Sequence, residues 1–143
     1  MKTANPGDLE RFLDAQAGIY DEALAEIRAG RKQSHWMWFI FPQIAGLGFS
    51  DTSRHFAIRD RAEAEAYLAH PVLGTRLREC AQATLDVKGR SAEEIFGGVD
   101  ALKLRSSATL FAAVSPDASV FHRLLEMYFA GRGDEKTNQL LGS

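Results

Sequence analysis

Gly30-Arg31-Lys32-Gln33-Ser34-His35-Trp36-Met37-Trp38-Phe39-Ile40-Phe41-Pro42-Gln43 is the densest aromatic stretch of the chain. It holds both tryptophans, two of the nine phenylalanines and one of the four histidines. Its basic edge, Arg31 and Lys32, runs directly into the rings. A helix that buries a single stripe does not need this many rings. The run therefore reads as the heart of a core, the wall of a pocket, or both. Ser34 suits the cap of a short helix beginning at His35. On such a helix Trp36, Phe39 and Ile40 share one side, and His35, Trp38 and Phe41 another. Both sides cannot face one core, so one group packs inside while the other lines a cleft or lies beneath the following loop. Pro42 cannot continue a helix interior, and the chain turns there.

Outward from this run, the chain reads as helices. Apolar residues recur at helical spacing through Leu9, Phe12, Leu13, Tyr20, Leu24 and Ile27, behind Asp8 as an N-cap. Gly30 ends that helix, with Arg28 favourably placed in its last turn. Asp60 to Glu63 and Ser91 to Glu94 have capping-box spacing. The first opens a helix to near His70; the second opens a short one ending at Gly97-Gly98. Pro71 fits the first turn of a helix through Leu73, Leu77 and Leu85 that stops by Gly89. Asp100 reads as the cap of a helix to about Val114, broken by Ser115-Pro116. Asp117 begins a helix through Phe129, Gly131-Arg132-Gly133 breaks it, and Asp134 caps a last short one. The only strand candidates, Phe39–Phe41 and His55–Ile58, are short. The expected fold is all-α: a compact single-domain orthogonal bundle of about six to eight helices spanning residues 1–143.

Composition bounds the function. The 143 residues carry a net charge of −2, from 17 basic and 19 acidic side chains. That balance gives no bulk attraction for nucleic acid or an anionic membrane, so neither is expected as a partner. No apolar stretch approaches the ~20 residues of a membrane span. Met1 to Pro6 shows no apolar signal core, and the single cysteine, Cys80, cannot form an internal disulfide. A cytoplasmic location follows as the expectation. Cys80 sits among helix formers and reads as a small buried residue rather than a nucleophile.

The candidate chemistry gathers in two segments. In the aromatic run, Trp36 or Trp38 could stack on a planar ligand, as aromatic side chains do on bases. Arg31 and Lys32 beside them could receive phosphate, with Gln43 at the far end of the run as a further ligand contact. His35 is the best single residue for acid–base work, because an imidazole titrates near neutrality. The plain alternative is that these rings are all core. In the second segment, Asp100, Lys103 and Ser107 fall on one helical face. Lys103 near the Asp100 carboxylate is a candidate for general-base or Schiff-base chemistry if buried. Arg105 and Ser106 are further candidate ligand contacts. The alternative is a cap, a surface cation and a solvated face. Between the segments, Ile44 to Ser53 is rich in glycine and hydroxyl groups. It reads either as a tight connector or as a loop exposing amides to an anion. His70 reads as a helix-end residue and His122 as an ordinary helical one. The histidines are scattered, so no metal site and no cofactor is expected.

The chain resembles the bacterial and fungal family called domain of unknown function eighteen-ten, sometimes labelled calpastatin-like. The resemblance rests on Arg11-Phe12, Ala15-Gln16 and Tyr20, then Glu26 to Lys32, the block Ser34 to Gln43, and Gly46-Leu47-Gly48. It continues through Tyr67-Leu68, His70-Pro71, Leu73-Gly74, Ile95-Phe96-Gly97, Asp100, Lys103 to Ser107 and Thr109-Leu110-Phe111. It implies a compact, mostly helical domain and no particular activity. Calpastatin-type inhibitors are disordered and proline-rich; this apolar chain has only four prolines. Asn138 departs from the family pattern, which has an apolar residue there. A looser likeness, of theme rather than motif, is to the helical hydrolases acting on ADP-ribose derivatives, the NADAR group. The clustering of acidic, basic, imidazole and indole groups in two short segments points to a pocket that binds or processes a small nucleotide-like ligand, as a binder or hydrolase; ADP-ribose derivatives are what the looser likeness implies. A non-catalytic interaction module or homo-oligomeric structural protein, with an apolar patch around Met127-Tyr128-Phe129, is the alternative.

Overall fold

The computed structural model describes residues 6–142; the reading of Met1 to Asn5 lies outside them. Ten helices are present among the described residues: α1 (Pro6–Gln16), α2 (Tyr20–Arg28), α3 (Met37–Ile40), α4 (Asp51–His55), α5 (Arg61–Ala69), α6 (Leu73–Asp86), α7 (Ala92–Phe96), α8 (Gly98–Ala113), α9 (Val120–Phe129) and α10 (Glu135–Leu141). The fold is all-α. The count exceeds six to eight for two reasons. The expected single first helix is two, parted by a turn at Gly18, and two one-turn helices, α3 and α4, flank the glycine-rich loop. Neither strand candidate forms a strand. Phe39 to Phe41 belongs to α3 and its end, and His55 to Ile58 contributes one isolated bridge, Ile44 to Ile58.

Two helices carry the architecture. α6 packs against α2, α5 and α9, and α8 packs against α5, α7, α9 and α10. From Ser106 to Ala112 every residue of α8 is buried, so this half of the helix has no solvent face. Small side chains, Ser106, Ser107, Ala108 and Ala112, let its neighbours approach closely. Rings link the helices through the interior. Phe12 meets Tyr67 edge-on at 5.1 Å, Tyr67 meets Phe111 at 5.5 Å, and Phe111 meets Phe121 at 5.7 Å. Such pairs add about 0.5–1.5 kcal/mol each beyond the area they bury. Cys80 lies in this interior, and burial pushes its thiol up to about 12.

The caps show which local readings hold. Ser91 and Glu94 form a complete capping box. Asp60 caps α5, but the Glu63 carboxylate turns to the Arg59 amide and to Arg11 instead of closing a box. Arg11 also donates to the carbonyls of His55 and Ala57, joining α1 to the end of α4. The ring of His70 accepts from the amides of Val72 and Leu73 and so caps α6. Asp134 caps α10. Three expected caps outside the aromatic run are displaced. α1 starts at Pro6, ahead of Asp8; Ser119 rather than Asp117 caps α9; and Asp100 lies inside α8, free to pair with lysines.

Candidate functional site

Glu26, on α2, decides where the aromatic run goes. One of its oxygens accepts from the amides of Gln33 and Ser34 and from the Trp36 indole at 2.9 Å; the other accepts from the Ser34 hydroxyl at 2.6 Å. Burial works against the Glu26 charge, but these hydrogen bonds outweigh it and hold the carboxyl at about 2. Ser34 is therefore latched to α2 instead of capping a helix, and Trp36 is drawn wholly into the core against Phe96. The short α3 then begins at Met37 and turns Trp38 the other way.

Trp38 lines a pocket of about 230 Å³. Its apolar wall includes Ile44, Leu47 and Phe56, and its polar groups are Gln43, Ser53, Arg54 and Lys103. The glycine-rich loop forms one side. It is pinned by backbone bonds between Ala45 and Ile58 and between Ile58 and Gln43, each 2.8 Å. Gly46 has φ +105°, and a Cβ there would come within 3.0 Å of Leu140 on α10. A Cβ on Gly48 would come within 2.8 Å of the Ser53 hydroxyl. These glycines let the loop lie flat between α10 and α4.

Behind the pocket, one carboxylate serves two lysines. Asp100 Oδ2 meets Lys32 Nζ at 2.9 Å and Oδ1 meets Lys103 Nζ at 3.2 Å. Burial opposes the Asp100 charge, yet the two ammonium groups hold its carboxyl below the usual range. Lys32 is almost enclosed. It also donates to the Ser34 carbonyl, and its ammonium lies 5.0 Å from the Trp36 ring centre. Lys103 is partly exposed and stands over the Trp38 ring, 3.9 Å from its centre. A cation at this distance is attracted to the indole by ~0.5–2 kcal/mol. Two lysines and one aspartate leave a surplus positive charge. Arg54 adds another, and no carboxylate lines the pocket.

The structure brings together part of the expected site. Trp38, Gln43 and Lys103 line the pocket, with Asp100 and Lys32 directly behind. Trp36 has no exposed face and cannot stack on a ligand. Arg31 and His35 are exposed and lie outside the lining; Arg31 borders a separate shallow groove with Glu22 and Gln33. Arg105 bonds to the carbonyls of Arg132 and Gly133 and so ties α8 to the loop before α10. Ser106 is buried and donates to the Leu102 carbonyl. Arg54 and Phe56 also line the pocket and carry no local sequence signal, since a basic residue ending a short helix looks like any surface cation. The patch expected around Met127 is interrupted: Tyr128 reaches in to the Thr84 carbonyl at 2.7 Å and Phe129 is half-buried. Asn138 is exposed on α10, where a polar side chain costs nothing. Among the described residues no His, Cys, Asp or Glu cluster is arranged to hold a metal, and no helix is long and apolar enough to cross a membrane.

The model of a protein family described as "Protein of unknown function (DUF1810)" matches residues 6–141. The chain belongs to this family. The family match covers every helix described above, including the loop and α8 segment that form the pocket. A solved structure with the same fold is the conserved hypothetical protein Rv1873 from Mycobacterium tuberculosis. It is 49% identical, with a TM-score of 0.94 over 97% of this chain and 99% of that one. No curated protein matches the chain.

Proposed function

We propose that the pocket binds a small organic anion built on a planar ring. The carrying observation is the lining itself: Lys103 and Arg54, with no carboxylate, face an apolar wall of Trp38, Ile44, Leu47 and Phe56. The Gln43 side-chain amide makes no hydrogen bond among the described residues and adds an unspent donor and acceptor. Size narrows the nucleotide-like reading. A dry cavity of about 150 Å³ takes benzene, and most ligand pockets run from about 300 Å³ upward. At about 230 Å³ the pocket suits one ring with a charged substituent. A ligand the size of ADP-ribose would leave most of itself outside. This makes the pocket a binding site: His35, the residue expected to do acid–base work, lies outside the lining.

A thermal-shift series tests this with benzoate, phenyl phosphate, nucleoside monophosphates, ADP-ribose, inorganic phosphate and neutral benzyl alcohol. Planar anions are expected to raise Tm in step with the logarithm of their concentration above Kd, reaching about 2.7 kcal/mol of added stability at a hundred times Kd. The Lys103→Met variant is expected to keep no more than about half of that stabilisation at the same ligand concentration. No response to any planar anion, or an equal response to benzyl alcohol, would contradict the reading.

A further inference from the structure

We propose that Lys103 is a two-position cation, exchanging the Trp38 ring face for the ligand's anionic group, with Lys32 as the fixed partner that keeps Asp100 neutralised. This rests on the pocket reading above and adds how the site selects its ligand.

The geometry sets up the exchange. The Lys103 ammonium stands over one face of the Trp38 ring, 3.9 Å from its centre, and both side chains line the pocket. A flat ring can stack there only if the ammonium moves. Lys103 has a flexible four-carbon stem and is partly exposed, so it can move. Its departure does not strand the carboxylate, because each Asp100 oxygen holds a different lysine. Lys32 cannot follow. It is 8% exposed, its ammonium is bound by the Ser34 carbonyl, and its own amide donates to the Ile95 carbonyl at 2.7 Å. Lys32 is thus a positioning residue, and Lys103 is the group that meets the ligand.

Selectivity follows from the exchange. A neutral ring must compete with the ammonium for the indole face and offers it nothing in return. An anion without a flat ring takes the ammonium but leaves the indole uncovered. A planar anion satisfies both groups, so benzoate is expected to bind at least tenfold tighter than benzyl alcohol or cyclohexanecarboxylate.

The direct test follows the lysine side-chain methylenes by NMR in the full chain, with the Lys103→Arg variant supplying the assignment. Over an indole face, the Lys103 Hε protons resonate upfield of lysines that lie over no ring, and the Lys103→Arg variant separates them from those of Lys32 near Trp36. Benzoate titration is expected to abolish that upfield shift in step with the change in indole fluorescence, while the Lys32 signals stay in place. Benzoate binding with the upfield shift retained would overturn the exchange and leave the pocket reading standing. No saturable binding of benzoate or phenyl phosphate would overturn both.

Discussion

Trp36 and Trp38 are two residues apart, and each has a lysine ammonium near its ring, yet they belong to different parts of the molecule. Trp36 is sealed in the core, its indole held by Glu26 and its neighbour Lys32 held by Asp100 and a carbonyl. Trp38 lines the pocket, and its neighbour Lys103 shares the same Asp100 but keeps solvent access. Every polar partner of the first pair is committed within the fold. The second pair has capacity left over. Binding chemistry is found where hydrogen-bonding and charge are not used up by folding.

The sharpest break in that comparison is alanine replacement at each ring. Trp36→Ala removes a fully enclosed side chain and is expected to cost about 3–5 kcal/mol. Trp38→Ala is expected to cost less, about 1–2 kcal/mol, since its ring is partly exposed at the pocket. Chemical denaturation of both variants reads the difference; equal losses would mean that the two rings share one role.

Glu26→Ala comes next, at about 1–3 kcal/mol, because it strands the Trp36 indole and two amides. The same group gives an acid signature. Its carboxyl is lowered from an ordinary 4.5 to about 2, so its contribution is present above pH 4.5 and is lost as pH falls toward 2. Unfolding free energy should fall through that window in the parent and fall less in Glu26→Gln.

This contrast could not be read from the sequence. Helical spacing predicts that the rings divide between two sides; they divide along another line, because the chain leaves the helix after Ile40 and Phe41 is buried against Phe96 beside Trp36 instead of sharing a side with Trp38. Which side faces inward depends on Glu26, eight residues before Ser34 and without any motif to mark it. The first helix reads as continuous because its apolar positions stay in phase across Gly18. The all-α fold is legible because caps and breaks at Ser91, Asp134 and Gly131 act locally. The pairing of Lys32 with Asp100 joins residues far apart in the chain, and no local spacing encodes it. The same holds for Arg54 and Phe56, which the Ile44 to Ile58 bridge brings to the pocket.

On the binding side, Lys103→Met is expected to weaken benzoate binding at least tenfold, or about 1.4 kcal/mol, with little change in Tm. Isothermal titration with parallel melting curves separates the two effects. Least of all should change in Arg31→Ala. Arg31 is exposed and lies outside the lining, so stability and benzoate affinity should stay within about 0.5 kcal/mol of the parent. A large loss of affinity there would move the anion site toward the start of the run.

The most direct measurement is a benzoate titration followed by indole fluorescence in the parent and in Trp38→Phe. A pocket at Trp38 requires a saturable change in the parent and none in the variant, where only the enclosed Trp36 still emits. The same change in both proteins, or no saturable change in the parent, would contradict a ligand site at Trp38.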